Sequence, residues 1–408
     1  MITMKFIDGG VCAAQGYKAS GIHVGVKTNN LTKKDLALIV SEVLCDAAAV
    51  YTKNVVKAAP LLITKAHLKD GKACAVLANS GNANACAPNG EEYAERSCMA
   101  AAEALGLKAT DFIVASTGVI GQTLPVGVIE DGIPALVAAL KTDGSPDAAA
   151  AIMTTDTVMK EYAVEVTIGG KTVRLGGIAK GSGMIHPNMG TMLSFITTDC
   201  AISAGMIKKA LLEAVTVSFN RISVDGDTST NDMCSLMANG LAGNTPITDD
   251  GDDYKTFVAA LKELCVKLAV VMASDGEGAT HLITCTVTGA PDILTAEKLS
   301  KSVISSTLTK AAIFGTDANW GRVLCAMGYS GVDFEPDKVA VAFESAAGTI
   351  DVCKDGRGLA FDEALAKRIL TEHDITIAIN IASGSAECTC WGCDITYDYI
   401  KINGDYRT

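Results

Sequence analysis

Residues 180 to 199 read Lys-Gly-Ser-Gly-Met-Ile-His-Pro-Asn-Met-Gly-Thr-Met-Leu-Ser-Phe-Ile-Thr-Thr-Asp, and the two halves of this run obey different rules. In the first half Gly181, Gly183, Pro187, Asn188 and Gly190 interrupt any regular period, which predicts a bent loop. In the second half Leu193, Phe195 and Ile196 predict a buried strand. The junction is Gly190-Thr191, a hydroxyl at the mouth of a strand, preceded by a residue without a side chain. One reading is a plain glycine turn entering a sheet. The other is chemical: a threonine so placed can attack the carbonyl before it and break its own peptide bond. That would leave a free α-amine beside the hydroxyl, a nucleophile with its base.

Upstream of the run, the extended stretches 162–168 and 172–178 flank Gly169-Gly170, a hairpin signal that delivers the chain to Lys180. A buried strand at 111–115 ends in Ser116-Thr117-Gly118, so Thr117 and Gly118 are expected on the loop beyond its C-terminal end, where α/β proteins place chemistry. A glycine lets the main-chain N–H approach closely, and a neighbouring hydroxyl adds a second donor, so the pair could hold an oxyanion; a simple turn is the alternative. Elsewhere, helices are expected at 36–43, 91–105, 132–140, 205–217, 296–308 and 363–372. Strands are expected at 73–78, 281–287, 338–343, 375–381 and 394–400. Phe257, Leu261, Leu264, Leu268 and Met272 recur at three and four, which predicts a long amphipathic helix over 254–272. Glu277 follows it between two glycines, where its carboxylate can reach a cleft or simply solvent.

Three polar stretches stand out. Two of them, Asn79 to Cys86 and Thr154 to Thr157, suit turns, while the alternating acids of the third, 221–232, resemble a calcium loop at first sight but lack its terminal glutamate. The tail 402–408 reads as a frayed terminus.

Composition narrows the class. Hydrophobic residues make up 49% but aromatics only 5%, with 39 glycines, so the interior must be filled by Ala, Val, Ile and Leu, as in a layered α/β protein. The 408-residue length admits two lobes or one large layered unit. A net charge of −12 without a basic cluster argues against nucleic acid or an anionic membrane and favours a small metabolite. No apolar run is long enough to span a membrane and no targeting segment is evident, which suggests a cytoplasmic protein. The 14 cysteines are scattered; only Cys388-Thr-Cys390-Trp-Gly-Cys393 has a metal-like spacing, and it lacks a fourth ligand and alternates like a strand. His23, His67, His186, His281 and His373 show no paired ligand spacing, so no metal is expected.

The run 180–199 closely resembles the autoprocessing segment of the ornithine acetyltransferase family, also called the glutamate N-acetyltransferase or arginine biosynthesis bifunctional family. Blocks 52–62, 79–86, 116–121, 223–233, 275–281 and 402–408 match that family in the same order, so the resemblance spans nearly the whole chain. Two departures stand out: Gly190 replaces the usual alanine, and Met233 stands where a small hydroxyl residue is common.

The resemblance implies an α/β (α+β) layered fold, with β-sheets packed against helices. The fold would be that of an autoprocessed N-terminal-threonine nucleophile enzyme of the ornithine acetyltransferase / DmpA-like type. It implies self-cleavage at Gly190-Thr191 into an alpha chain, 1–190, and a beta chain, 191–408, which stay associated, two of each. It implies acetyl transfer from N2-acetylornithine to glutamate through an acetyl-Thr191 ester, with Thr117 and Gly118 as the oxyanion hole. Thr154, Lys180, Thr191, Glu277, Asn403 and Thr408 are the implied substrate-binding residues. No cofactor is implied. The family's related use of acetyl-CoA makes that molecule a candidate second donor, although no phosphate-cradling glycine motif identifies a site for it. Two rival readings remain: an autoprocessed aminopeptidase, in which water accepts the acyl group, and an uncleaved small-molecule binding protein.

Overall fold

The computed structural model describes residues 4–28, 30–186 and 192–404. Strands β1 (Met4–Ile7), β2 (Tyr17–Ile22), β3 (Leu36–Tyr51), β4 (Lys72–Asn82), β5 (Phe112–Val119), β6 (Lys160–Ile168), β7 (Lys171–Lys180) and β8 (Leu193–Thr198) come first. They are followed by β9 (Ile222–Ser223), β10 (Met233–Ala238), β11 (Leu282–Ala290), β12 (Ala340–Ser345), β13 (Gly348–Lys354), β14 (Arg357–Gly358), β15 (Asp374–Asn380) and β16 (Ala386–Cys393). Among the described residues these form two sheets. The larger has the order β1-β6-β7-β8-β10-β3-β4-β5 with β2 also paired to β3; the smaller has the order β14-β13-β12-β15-β11-β16-β9.

The larger sheet is stitched from both sides of the 190/191 junction. β8 pairs antiparallel with β7 and parallel with β10, Leu193 lying opposite Met233, and β10 pairs antiparallel with β3. The smaller sheet is built entirely from residues after the junction. Helices Ala204–Val217 and Asp252–Ser274 cover one face of the larger sheet. There Phe257, Leu261, Leu264, Leu268 and Met272 are all buried, as their spacing predicts, each worth about 1.5–3 kcal/mol of apolar burial. Helix Ser145–Ile152 packs on the opposite face through Ala148, Ala149, Ala151 and Ile152. Helices Gly90–Leu105 and Val126–Ala138 close a further core over β3 to β5. Helices Ile293–Ser305, Trp320–Gly328 and Glu363–Leu370 cover the smaller sheet. The layered α/β architecture is therefore as expected. Among the described residues no helix is long and apolar enough to cross a membrane.

Three local expectations fail for identifiable reasons. Residues 36–43 are not a helix but the start of β3, whose first half lies between β2 and β4. Its two faces are also buried in separate cores, Leu36 and Leu38 in one and Ala37 and Ile39 in the other, so Leu-Ala-Leu-Ile-Val shows no alternation and mimics a helical run. The strand expected at 394–400 ends at Cys393. The Asp394 carboxylate is taken up by the N–H groups of Thr280 and His281, and Tyr397–Gly404 turns into a helix. The helix expected over 296–308 is two, Ile293–Ser305 and Thr307–Phe314, because Ser306 caps the second by accepting the N–H of Thr309. Cys388, Cys390 and Cys393 lie on β16, all buried.

Candidate functional site

Six segments converge on one cleft. The end of β5 brings Thr117 and Gly118, the loop after helix Ser145–Ile152 brings Thr154 and Thr155, and the end of β7 brings Lys180, followed by Gly183 and Met184. The loop before β10 contributes Ser229 and Asn231, the turn after helix Asp252–Ser274 contributes Glu277, and helix Tyr397–Gly404 contributes Asn403. The empty volume is about 570 Å³, the open solvent at its mouth included.

Lys180 is buried, and its Nζ donates to Thr117 Oγ1 at 3.4 Å. Burial pushes the lysine pKa down, and Asp156, Asp232 and Glu277 pull it back. Beside Thr117 the backbone needs glycine. Gly118 has φ +133°, and a Cβ there would stand 2.3 Å from the Gly81 carbonyl carbon, at the point where the β4–β5 register shifts.

Behind Lys180 lies a buried ion network. Asp156 Oδ1 accepts the Lys160 ammonium at 2.7 Å and the Gly181 N–H at 2.7 Å, while its Oδ2 accepts the Thr154 N–H at 3.0 Å. Lys160 also donates to Asp275 at 2.6 Å, and Asp275 takes the N–H groups of Thr157 and Val158. Burial alone would raise the Asp156 carboxyl, but Lys180 and Lys160 outweigh it and hold the group below the usual carboxylate range. One carboxylate thus fixes both the Thr154 loop and the exit from β7.

Glu277 is 7% exposed, with its N–H on the Ser182 carbonyl at 2.9 Å and its Oε2 accepting Asn403 Nδ2 at 2.7 Å. Gly183 makes room for it, since a Cβ there would stand 2.3 Å from Glu277 Cδ. Asn403 Nδ2 also donates to the Tyr399 carbonyl at 3.1 Å, so both amide hydrogens are spent and only its Oδ1 remains for a ligand. Past Lys180 the cleft continues along Ser229, Asn231 and Asp232 to Met192 and Leu193 at the start of β8. The Met233 N–H holds the Met192 carbonyl at 2.9 Å. Burial pushes the Asp232 carboxyl well above its ordinary value, against hydrogen bonds from Ser229 and Thr52.

A buried lysine on a hydroxyl, with the Glu277 carboxyl group lining the same cleft, can stabilise a developing oxyanion while holding the ammonium group of an amino acid. A family model described as the ArgJ family matches residues 18–408. The chain belongs to the ArgJ family. It is 50% identical over 406 residues to the arginine biosynthesis bifunctional protein ArgJ of Symbiobacterium thermophilum, covering 99% of this chain and 100% of that one. It is 47% identical over 406 residues to the protein of the same name from Caldanaerobacter subterraneus subsp. tengcongensis, with 99% and 100% covered. A crystal structure of arginine biosynthesis bifunctional protein argJ from Bacillus halodurans aligns at 42% identity and a TM-score of 0.48, covering 51% of this chain and 96% of that one.

For this ArgJ-family chain, the cleft gathers six residues singled out in the sequence: Thr117, Gly118, Thr154, Lys180, Glu277 and Asn403. Gly190, Thr191 and Thr408 lie outside the described residues, although Met192, the covalent neighbour of Thr191, lines the inner end. Two placements are corrected. Thr117 and Gly118 are on β5 itself rather than on a loop beyond it, because β4 runs on beside them to Asn82. Asn403 sits on a helix rather than in a polar tail after a strand. Sequence reasoning missed Lys160, Asp275, Asn231 and Asp232. Lys160 and Asp275 are separated by helices and strands, and no spacing signals their pairing; Asn231 and Asp232 belong to a loop that the family resemblance sets in support of the active site, with no role assigned to either residue.

Proposed function

We propose that this chain moves the acetyl group of N2-acetylornithine to glutamate through an ester on Thr191, releasing ornithine and then N-acetylglutamate. As a member of the ArgJ family the chain is an acyltransferase of arginine biosynthesis; the residue roles are the proposal. The observation that carries them is the contact between Lys180 and Thr117 in a cleft that runs on to Met192, one residue from Thr191.

In this reading cleavage after Gly190 turns the Thr191 amide into an α-amine with a reference pKa of about 7.7–8.0, able to act as a base near neutral pH. The amine takes the hydroxyl proton as the oxygen attacks the acetyl carbonyl. Thr117 and Gly118 receive the oxyanion, and the proton passes to the departing ornithine nitrogen. Glutamate then reverses the sequence, which gives ping-pong kinetics. Lys180 offers its charge to a substrate carboxylate. Glu277, Asn403 Oδ1, Thr408 and Thr154 complement the remaining polar groups.

The fragments 1–190 and 191–408 remain together in this account, and two supports are on hand: β7 to β8 and β10 to β3 are sheet contacts across the junction. Two copies of each fragment, a cytoplasmic setting, the absence of a cofactor, and acetyl-CoA as a second donor belong to the same proposal. The test is to incubate purified protein with acetylornithine and glutamate. Ornithine and acetylglutamate should appear in equal amounts, and ornithine release at the same rate without glutamate would make the protein a hydrolase instead.

A further inference from the structure

An oxyanion donor works only if the strand that carries it is held in place, and we propose that Asn231 is the positioning residue that holds Thr117. The inference rests on the reading of Thr117 as an oxyanion donor. Asn231 lines the cleft and is 6% exposed, yet it has no hydrogen to offer a substrate. Its Nδ2 donates to the Ala83 carbonyl at 2.6 Å and to the Ser116 carbonyl at 2.8 Å. Its Oδ1 accepts the Thr230 hydroxyl at 2.6 Å. Both amide hydrogens are therefore committed to main chain, and the residue acts on the reaction through its neighbours.

The carbonyl of Ser116 belongs to the planar peptide unit that also contains the nitrogen and Cα of Thr117, so fixing that oxygen fixes the base from which the Thr117 hydroxyl projects. The strand pair cannot do this alone. At Gly81 and Asn82 the β4–β5 register shifts against Thr117 to Val119, and an irregular ladder leaves main-chain groups to other partners. Asn231 bridges the exits of β4 and β5 at this point. On the far side the Ser116 hydroxyl donates to Asn79 Oδ1 at 2.6 Å, and Asn79 Nδ2 donates to the Asn82 carbonyl at 2.9 Å. This gives the asparagine-rich block 79–86, which the family resemblance puts near the site without a catalytic role, a part in aiming the donor. Asn231 comes from the segment after residue 191 and Ser116 from the segment before it, so the strap would also tie the two fragments together at the oxyanion hole.

The experiment is a double-mutant cycle, with rates normalised to the cleaved fraction by intact mass. Asn231→Ala removes both donors; Asn231→Asp keeps the shape but sets an acceptor against two carbonyls. Each should lower kcat by roughly ten- to a hundredfold, the cost of misplacing a catalytic group, with KM for acetylornithine changed by less than about threefold. In a Thr117→Ala background the same substitutions should cost less than about threefold more, because the group they aim is already gone. If Thr117→Ala alone leaves kcat unchanged, the reading of Thr117 fails whatever Asn231 does. If Thr117→Ala lowers kcat and the Asn231 effect multiplies independently of it, or falls on KM, the positioning role is overturned while the reading of Thr117 stands. Should both Asn231 variants fail to fold, Thr230→Val removes only the hydroxyl that holds Asn231 Oδ1. It should give a smaller fall in kcat with the same non-additivity, and an unchanged or additive rate would count against the proposal.

Discussion

Replacing Asp156 by Asn removes one negative charge from the centre of the buried network while keeping the side-chain shape. Lys160 is 0% exposed and would lose one of its two carboxylate partners, retaining Asp275 at 2.6 Å. Lys180 would lose the carboxylate that most offsets its burial. Removing one partner of a buried pair costs about 3–5 kcal/mol, and the surviving Lys160–Asp275 pair argues for the low end, about 3 kcal/mol. The pH dependence has a definite sign. The folded Asp156 carboxyl is held below the unfolded value of about 3.9, so its stabilisation is complete above that value and is lost as pH falls through the lower folded one. The gap in unfolding free energy between wild type and Asp156→Asn, followed by circular dichroism in urea, should be level from pH 7 to about 4 and close below it. Activity should fall as well, since Thr154 and Gly181 both hang on this carboxylate. A variant as stable as wild type at pH 7, or a gap that widens on acidification, would refute the argument.

Gly183→Ala should raise KM for acetylornithine by roughly tenfold or more, because the new Cβ falls 2.3 Å from Glu277 Cδ and drives the carboxylate off Asn403; steady-state kinetics with unchanged KM would contradict this. Removal of residues 403–408 should cripple acetyl transfer without unfolding the chain, since no residue of helix Tyr397–Gly404 is buried. Wild-type kcat/KM after truncation would strike Asn403 and Thr408 from the site. Thr191→Ala should stay full length and inactive on intact-mass and activity measurements, whereas Thr191→Ser, which keeps a hydroxyl, should still cleave.

Much of the site was legible because its residues sit beside strong local punctuation. Thr117 and Gly118 close an apolar strand, Glu277 stands between glycines after a clear amphipathic helix, and Lys180 ends a hairpin marked by Gly169-Gly170. The resemblance to a family then assigned roles that spacing alone left open. What escaped notice was long-range. Lys160 and Asp275 meet across 115 residues, and Asn231 reaches Ser116 across 115 as well, so no local window contains either pair. The misread β3 has a related cause: a strand buried on both faces carries no alternation, and only its neighbours β2, β4 and β10 tell it apart from a helix. At the C-terminus, Tyr397, Tyr399 and Ile400 have strand propensity but no strand to pair with among the described residues, and helix prevails.

The central claim, that Thr191 becomes the N-terminal nucleophile and carries the acetyl group, is tested most directly by mass. Purified protein is mixed with acetylornithine in the absence of glutamate, quenched in acid and weighed intact. Two fragments are expected, one beginning Thr191-Met-Leu-Ser and heavier by one acetyl group, with ornithine released in equal amount and the added mass lost on addition of glutamate. A single uncut chain that still transfers acetyl groups, or a cleaved chain that turns over without ever gaining that mass on the fragment beginning at Thr191, would contradict it.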